Sequence, residues 1–447
     1  MAVDRVRTEY GEVQGVSKEA YSVFKGIPYA KAPIGELRWQ PPQPLEAWEG
    51  VYSAEKFPCK SMQEIREMEF YDKEFYSEKS YDVPCSEDSL YLNIWTPAKS
   101  EKENLPVAVW IHGGAFMGGY GSEMEFDGER FCKNGIILVT INYRLNLFGF
   151  LAHPWLSAES KNGVSGNYGI LDQIAALQWV SRNIGAFGGD PKAITIMGQS
   201  AGAMSVQTLV SSPLTENLIS KAVMQSGGGY HNGMNEDMSL EEAMMHGEAF
   251  VKQTGAKNLQ ELREMPVEEL YAAFGRFMGE MIKQGTGFKL VMSPNVDGYV
   301  LPNGYDRQIE QGKIKRIPYL LGSNHNDIFV EKKDADAGVK SRLYQGCVDW
   351  SRFLEQTGAD PAYVYYFKRQ LPGDDAGAFH SAELWYMFGT LSRCWRPMTE
   401  EDFALSERMI AYWSNFIKTG NPNEEGCGQT EWKPCRSEEE FVMELDV

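Results

Sequence analysis

The feature that most restricts the fold of this chain is a set of short, unbroken apolar runs separated by helical patterns. Runs at 108–111, 136–141, 193–197, 222–224, 317–321 and 362–367 have strand length and carry few polar interruptions. A strand with one wet face alternates apolar and polar residues, so a run that is apolar throughout needs cover on both faces, which parallel strands joined by helices provide. Between the runs, Ile170, Ile174, Leu177, Val180 and Ile184 recur three or four apart on one helical face, and further helical patterns start near Glu241, Val339 and Phe403. The expected class is α/β, with a mostly parallel central sheet flanked by helices. Segments 3–16 and 21–29 alternate like an N-terminal antiparallel hairpin. Length alone, at about 150 residues per domain, would suggest three domains. With no internal repeat and no low-complexity linker, the expectation is instead one domain over 1–447.

Charge and composition exclude several functions. The 43 Lys+Arg against 62 Asp+Glu give a net charge of −19, which repels phosphate backbones and anionic lipid surfaces, so no nucleic-acid partner is expected. The apolar runs at 107–111 and 136–141 are far shorter than a membrane span, and no membrane partner is expected. Charges in the first nine residues occupy the place of a signal-peptide core, which points to an unexported, cytoplasmic chain. The seven cysteines include no C-x-x-C pair, so neither a zinc nor a redox site is expected; only Cys59 with Cys85, and Cys427 with Cys435, lie close enough in sequence to suggest disulfides.

The chemistry concentrates in Ala193-Ile194-Thr195-Ile196-Met197-Gly198-Gln199-Ser200-Ala201-Gly202. An apolar strand runs into G-x-S-x-G and a small-residue helical pattern leaves it, the setting of a nucleophile elbow. Glycines two residues either side of the serine let neighbouring backbone approach a sharp, strained turn. The helix that follows aims its first N–H groups at any developing oxyanion. Upstream, Ile111-His112-Gly113-Gly114-Ala115-Phe116 follows another strand and supplies a turn low in side chains, where further oxyanion donors would lie. His112 itself reads as an orienting or packing residue.

The chain has six histidines. In an α/β-hydrolase the order is serine, acid, histidine, which leaves His231, His246, His325 and His380. His246 sits in a helical pattern and His231 leaves no room for an acid, so the base is His325 or His380. Asp327 lies just beyond the strand-like 317–321 run, a good place for the acid, and that choice makes His380 the base. Asp297, which precedes a turn, is the rival acid.

These residues resemble the type-B carboxylesterases, a family that includes bacterial carboxylesterases, para-nitrobenzyl esterases and cholinesterases. Phe187-Gly188-Gly189-Asp190-Pro191 with the Ser200 motif is similar to the family's serine signature, and Glu87-Asp88-Ser89-Leu90-Tyr91-Leu92-Asn93-Ile94 to its second signature. Segments 24–30 and 142–145 extend the likeness to nearly the whole chain. The resemblance implies an α/β-hydrolase fold and hydrolysis of small-molecule carboxylic esters without metal or cofactor. It also implies Ser200 as nucleophile, His380 as base, oxyanion N–H groups from Gly114, Ala115 and Ala201, and Gly113 shaping the turn.

The chain departs from the family in three places. Asp327 stands where the family usually has Glu. Ser89 stands where it has Cys, so a disulfide from Cys59 would need Cys85. The interval from Asp327 to His380 spans only 53 positions, which implies a reduced lid and a wide entrance. Gly113, Phe116, Trp385 and Phe388, with Tyr386 beside them, are candidates for the substrate pocket.

Overall fold

The computed structural model describes residues 2–64, 69–285, 290–424 and 430–447. Among the described residues, ten strands form one sheet: β1 (Val16–Ser17), β2 (Ser22–Pro28), β3 (Tyr91–Thr96), β4 (Leu105–Ile111), β5 (Ile137–Ile141), β6 (Gly189–Gln199), β7 (Lys221–Gln225), β8 (Tyr319–Asn324), β9 (Tyr363–Phe367) and β10 (Met443–Leu445). Their order across the sheet is β10-β9-β8-β7-β6-β4-β5-β3-β2-β1. From β10 to β5 every neighbouring pair is parallel. The last three strands are antiparallel to their neighbours.

All six apolar runs are strands of this sheet, and their lack of alternation has the expected cause. Both faces are covered. On β4, Val107, Val109 and Ile111 enter one core while Ala108 and Trp110 enter the other. The first core receives α1 (Tyr168–Asn183), α2 (Ala201–Ser211), α3 (Leu240–Thr254), α4 (Val267–Lys283) and α5 (Arg342–Gln356). The second receives α6 (Glu400–Thr419), whose Leu405, Met409, Tyr412, Trp413 and Phe416 form a stripe at helical spacing. A capping box between Thr399 and Asp402 starts that helix.

The N-terminal antiparallel hairpin is present, with both its arms drawn from the first segment. Segment 3–16 pairs with itself, Arg5–Thr8 against Gly11–Gln14, in a small sheet completed by Val51–Ser53. Segment 21–29 enters the large sheet as β2, pairing with the chain that follows the first hairpin where Val16 and Ser17 meet Val23 and Ser22. The alternation identified the strands, but a turn at 9–10 closes the first hairpin before the second segment can join it.

The interval from Asp327 to His380 supplies part of the scaffold: α5 and β9 lie within it, and Trp350 of α5 packs edge-on against Tyr319 of β8 at 5.3 Å. Two buried ion pairs fix the connections. Arg144, beyond β5, makes three hydrogen bonds to Asp172 of α1 at 2.7–3.0 Å. Arg396 grips Glu74 through Nε at 3.0 Å and reaches Asp374 through Nη1 at 2.7 Å.

A third acidic cluster lacks a cation of this kind. Glu123 and Glu125, in the β4–β5 connection, are both buried. Glu123 accepts from the Tyr120 N–H at 3.0 Å and the Tyr76 hydroxyl at 3.1 Å, whereas Glu125 Oε2 has no partner among the described residues. Burial pushes the Glu123 carboxyl up to about 7 and, with the charge of Glu123 beside it, raises Glu125 further. The folded chain thus holds protons that an unfolded glutamate releases near about pH 4.3. The pair's contribution to stability is greatest below that point and declines as pH rises toward neutrality. Glu125→Gln should therefore raise Tm by a few degrees at pH 8 and by less at pH 5; calorimetry at both pH values checks this.

Candidate active site

The C-terminal ends of β4, β6 and β7 lie side by side, with Gly198 paired to both Ile111 and Met224. Ser200 follows β6 at φ 56°, ψ −127° and is the N-cap of α2. This backbone conformation is unfavourable for a residue with a side chain and is held by its surroundings. The Ser200 N–H donates to the Gln225 carbonyl at 2.9 Å and its own carbonyl accepts from Met204 N–H at 3.0 Å. Glycine is required on both sides. A Cβ on Gly202 would penetrate the Ile111 carbonyl oxygen, and one on Gly198 would run into the Gly202 carbonyl.

Asp327 lies beyond β8 with its carboxylate wholly buried. Oδ1 accepts from His380 Nδ1 at 2.6 Å and Ile328 N–H at 2.8 Å, and Oδ2 accepts from Asn324 N–H at 2.8 Å. Burial pushes this carboxyl upward, but the charge and hydrogen bond of His380, the Asn324 N–H and the nearby Ser226 hydroxyl outweigh it, leaving the pKa below the usual aspartate value. The His380 segment is pinned to the same turn: Asn324 Nδ2 donates to the Phe379 carbonyl at 2.7 Å and to Glu383 at 2.6 Å. From above, the Tyr71 hydroxyl reaches the His380 carbonyl at 3.4 Å, and Phe70 meets Phe379 edge-on at 4.9 Å.

The remaining candidates of the triad are placed elsewhere. Asp297 accepts three backbone N–H groups, from Tyr299, Val300 and Leu301, and the amide of Asn167, so it organises its own turn. His325 is occupied by Asp336 at 3.0 Å and the Tyr366 hydroxyl at 3.1 Å.

After β4 the turn bends sharply, with Gly114, Ala115 and Phe116 all at positive φ, 98°, 55° and 58°. Gly113 backs onto the serine, since a Cβ there would stand 3.1 Å from Ser200 Cβ. Among the described residues, the N–H groups of Gly114, Ala115 and Ala201 have no acceptor. Three unpaired donors beside a serine suit a transient anion. His112 is buried, and desolvation pulls its pKa down to about 4. The ring is therefore neutral; it contacts the Gly113 carbonyl at 2.9 Å and stacks on Tyr143.

Three expected pocket residues are corrected. Trp385 and Phe388 have no exposed surface: Trp385 stacks on Phe75 and donates to Glu74 at 3.1 Å, and Phe388 is wedged among Trp110, Phe126 and Phe131. Phe116 points down into the core against Phe150. Their proximity in sequence to the site marked them, but large aromatics of a buried sheet are core by default. Gln199, Glu383, Ser226 and Tyr71 were not foreseen. Gln199 carried a signal, as the residue before the serine; the others become neighbours only in the fold. Cys59, Cys85 and Cys435 are free thiols, while Cys427 lies outside the described residues. Ser89, standing where the family has a cysteine, is hydrogen-bonded to Ser61 at 2.9 Å. Among the described residues no cluster of His, Cys, Asp or Glu is arranged to hold a metal ion, and no helix is long and apolar enough to cross a membrane.

Comparison with known proteins agrees with this geometry. A model of the carboxylesterase family matches residues 2–342 and 340–447. The fumonisin B1 esterase of Sphingopyxis macrogoltabida is 39% identical over 341 residues, covering 75% of this chain but only 59% of that protein. The para-nitrobenzyl esterase of Bacillus subtilis (strain 168) is 33% identical over 489 residues, covering 99% of this chain and 94% of that one. A solved thermophilic PNB esterase structure has a TM-score of 0.85 at 32% identity, covering 99% and 96% of the two chains. The fold is that of the α/β-hydrolases.

The glycine geometry yields a stability test. Gly202→Ala should cost about 3 kcal/mol, because the new methyl group meets a backbone carbonyl that cannot move without displacing β4. Gly275→Ala, in α4 with open space where its Cβ would stand, should gain up to about 1 kcal/mol from helix propensity. Urea denaturation of both variants measures the contrast.

Proposed function

The chain belongs to the carboxylesterase family and is a carboxylic ester hydrolase; from that premise we propose that it works through a Ser200-His380-Asp327 triad and an acyl-enzyme. The observation that carries this reading is the 2.6 Å bond from His380 Nδ1 to a buried, ionised Asp327, with His380 Nε2 3.2 Å from the side chain of Gln199, the residue before Ser200.

An ionised Asp327 only accepts, so it fixes the proton of the neutral imidazole on Nδ1 and leaves the Nε2 lone pair as the base. His380 takes the Ser200 proton as Oγ attacks the ester carbonyl. The carbonyl oxygen becomes anionic, and the N–H groups of Gly114, Ala115 and Ala201 stabilise it. Collapse of the tetrahedral intermediate breaks the carbon–oxygen bond, and the alcohol leaves with the proton from His380. Water then attacks the acyl-enzyme by the same route, releasing the acid and restoring Ser200. Asp327 stabilises the imidazolium and stays ionised throughout.

The substrate class follows from the short interval before His380. With α5 and β9 drawn from it, less chain remains to make contacts that discriminate among alcohol groups. We therefore assign short acyl esters of bulky aromatic alcohols, in keeping with the name of the para-nitrobenzyl esterase relative. The same reading includes one domain over 1–447 and a cytoplasmic setting, which free thiols at Cys59, Cys85, Cys132, Cys347, Cys394 and Cys435 support.

Ser200→Ala should keep its fold and lose turnover by about 10⁴- to 10⁶-fold, and it should no longer be labelled by a fluorophosphonate. Asp327→Asn should lower kcat by about 10⁴-fold through the wrong tautomer, while Asp297→Asn leaves kcat near wild type. The reverse pattern would move the acid to Asp297. For substrate class, kcat/KM is measured over acetate esters of rising alcohol size. It should stay level or rise into benzyl and naphthyl alcohols; a steep fall beyond small linear alcohols contradicts the wide entrance.

A further inference from the structure

Glu123 and Glu125 lie outside the triad, but the chain between them and the turn after β4 is bonded amide by amide. The N–H groups of Met117 and Gly118 both donate to the Gly114 carbonyl, at 2.9 and 3.1 Å. Gly119 N–H donates to Gln63 Oε1 at 3.0 Å, Tyr120 N–H to Glu123 Oε1 at 3.0 Å and Gly121 N–H to Asn142 Oδ1 at 2.7 Å. Packing adds to this rigidity. A Cβ on Gly114 would penetrate the Gly118 carbonyl oxygen, and one on Gly119 would stand 2.8 Å from that of Gly113. A displacement at Glu123 is therefore passed to Gly114 through residues 117–121 with little slack.

The two carboxyl groups fit side by side only if they share a proton. Both are buried, and they are close enough to hydrogen-bond to each other. The donors that reach them, the Tyr120 N–H and the Tyr76 hydroxyl, both fall on Glu123 Oε1. Glu125 Oε2 has no partner among the described residues. The cations that face the pair are engaged elsewhere. Lys60, from the strand Lys60–Ser61, pairs with Asp82 and lies 5.0 Å from the centre of the Tyr120 ring. Arg393, from the turn Leu391–Arg393, donates to the Met124 carbonyl at 2.8 Å and pairs with Asp127. The phenols of Tyr76, Tyr120 and, beyond β5, Tyr143 are held protonated by burial. A carboxyl O–H donated from Glu125 to Glu123 is what keeps the two groups together. Burial and the neighbouring charge raise Glu125 well above the usual glutamate value, so this proton persists through neutrality. Without it, two buried carboxylates repel, with no bonded cation to offset the charge.

We propose that Glu123 and Glu125 form a one-proton clasp on the oxyanion turn: the shared proton holds the turn in place, and its loss at alkaline pH parts the carboxylates, loosens residues 117–121 and lowers turnover. The effect on turnover rests on the oxyanion role proposed for Gly114 and Ala115; the opening of the clasp does not.

The test measures kcat and KM from about pH 6 to about pH 10, a span that brackets the ionisation of a buried glutamate, for wild type and Glu125→Gln. The amide that Glu125→Gln introduces donates to Glu123 at every pH and carries no charge. Wild type should lose kcat about fivefold or more between about pH 7.5 and about pH 9.5, with KM changed less than about twofold, because oxyanion donors rather than substrate contacts are displaced. Glu125→Gln should hold kcat within about twofold over the same span. Hydrogen exchange in the segment 115–126, scaled to the same sequence as a free peptide, reads the clasp itself. Its protection should fall about tenfold across that span in wild type and in Ser200→Ala, but not in Glu125→Gln. Unchanged protection in wild type overturns the clasp, whatever the kinetics show. An equal alkaline loss of kcat in Glu125→Gln and wild type also overturns it. Lost protection with undiminished kcat overturns its hold on turnover and counts against the oxyanion role of Gly114 and Ala115.

Discussion

Everything at this site depends on how closely two pieces of backbone approach each other where β6 gives way to α2. Gly202 packs onto the Ile111 carbonyl with no room for a methyl group, and Gly198 packs onto Gly202. Gly227, after the adjacent β7, packs onto the Ser200 carbonyl in the same way. These contacts hold Ser200 at a left-handed φ that the isolated chain would leave. They also bring the end of β4 against the serine, so Gly113 lies beside the Ser200 Cβ. Side chains at these positions would separate Ser200 from the backbone of the Gly113–Gly114 turn.

Carboxylates are buried throughout the molecule, and they meet very different surroundings. Asp327 is met by two backbone N–H groups and an imidazole, and it remains ionised despite full burial. Asp172 and Glu74 each face a guanidinium at hydrogen-bond distance through both carboxylate oxygens. Glu125, with one oxygen unpartnered among the described residues and Glu123 beside it, is pushed toward the protonated form. The chain therefore keeps Asp327 charged beside His380 and pushes Glu125 toward discharge in the β4–β5 connection. The net charge of −19 says nothing of this, because it counts both kinds alike.

Much of this was legible in the sequence, for identifiable reasons. The strand runs stood out because a doubly covered parallel sheet erases alternation, and the elbow because its glycines are spaced by a steric requirement. The pairing of Asp327 with His380 could be reasoned from chain order, since the acid had to follow a strand and precede the base. The β10 edge strand was missed, being only three residues long, and so was α4, whose Leu270, Phe274 and Phe277 stripe was not singled out. Trp385, Phe388 and Phe116 were misplaced because the position of an aromatic residue in the chain does not say on which side of a sheet it falls. Contacts such as Tyr71 with His380, 309 residues apart, have no local signature at all.

The order of strands carries a consequence for how the molecule assembles. From β6 onward, β7, β8, β9 and β10 are added one after another to the same growing edge. Each arriving strand covers the edge left by the one before, and the sheet ends on a strand too short to recruit another. In a chain that folds as it leaves the ribosome, Ser200 and its glycine turn are complete long before residue 380 emerges. On the proposed triad, until β8 and the segment after β9 have docked the serine would have neither its acid nor its base, and the nascent chain would be inert toward the esters around it.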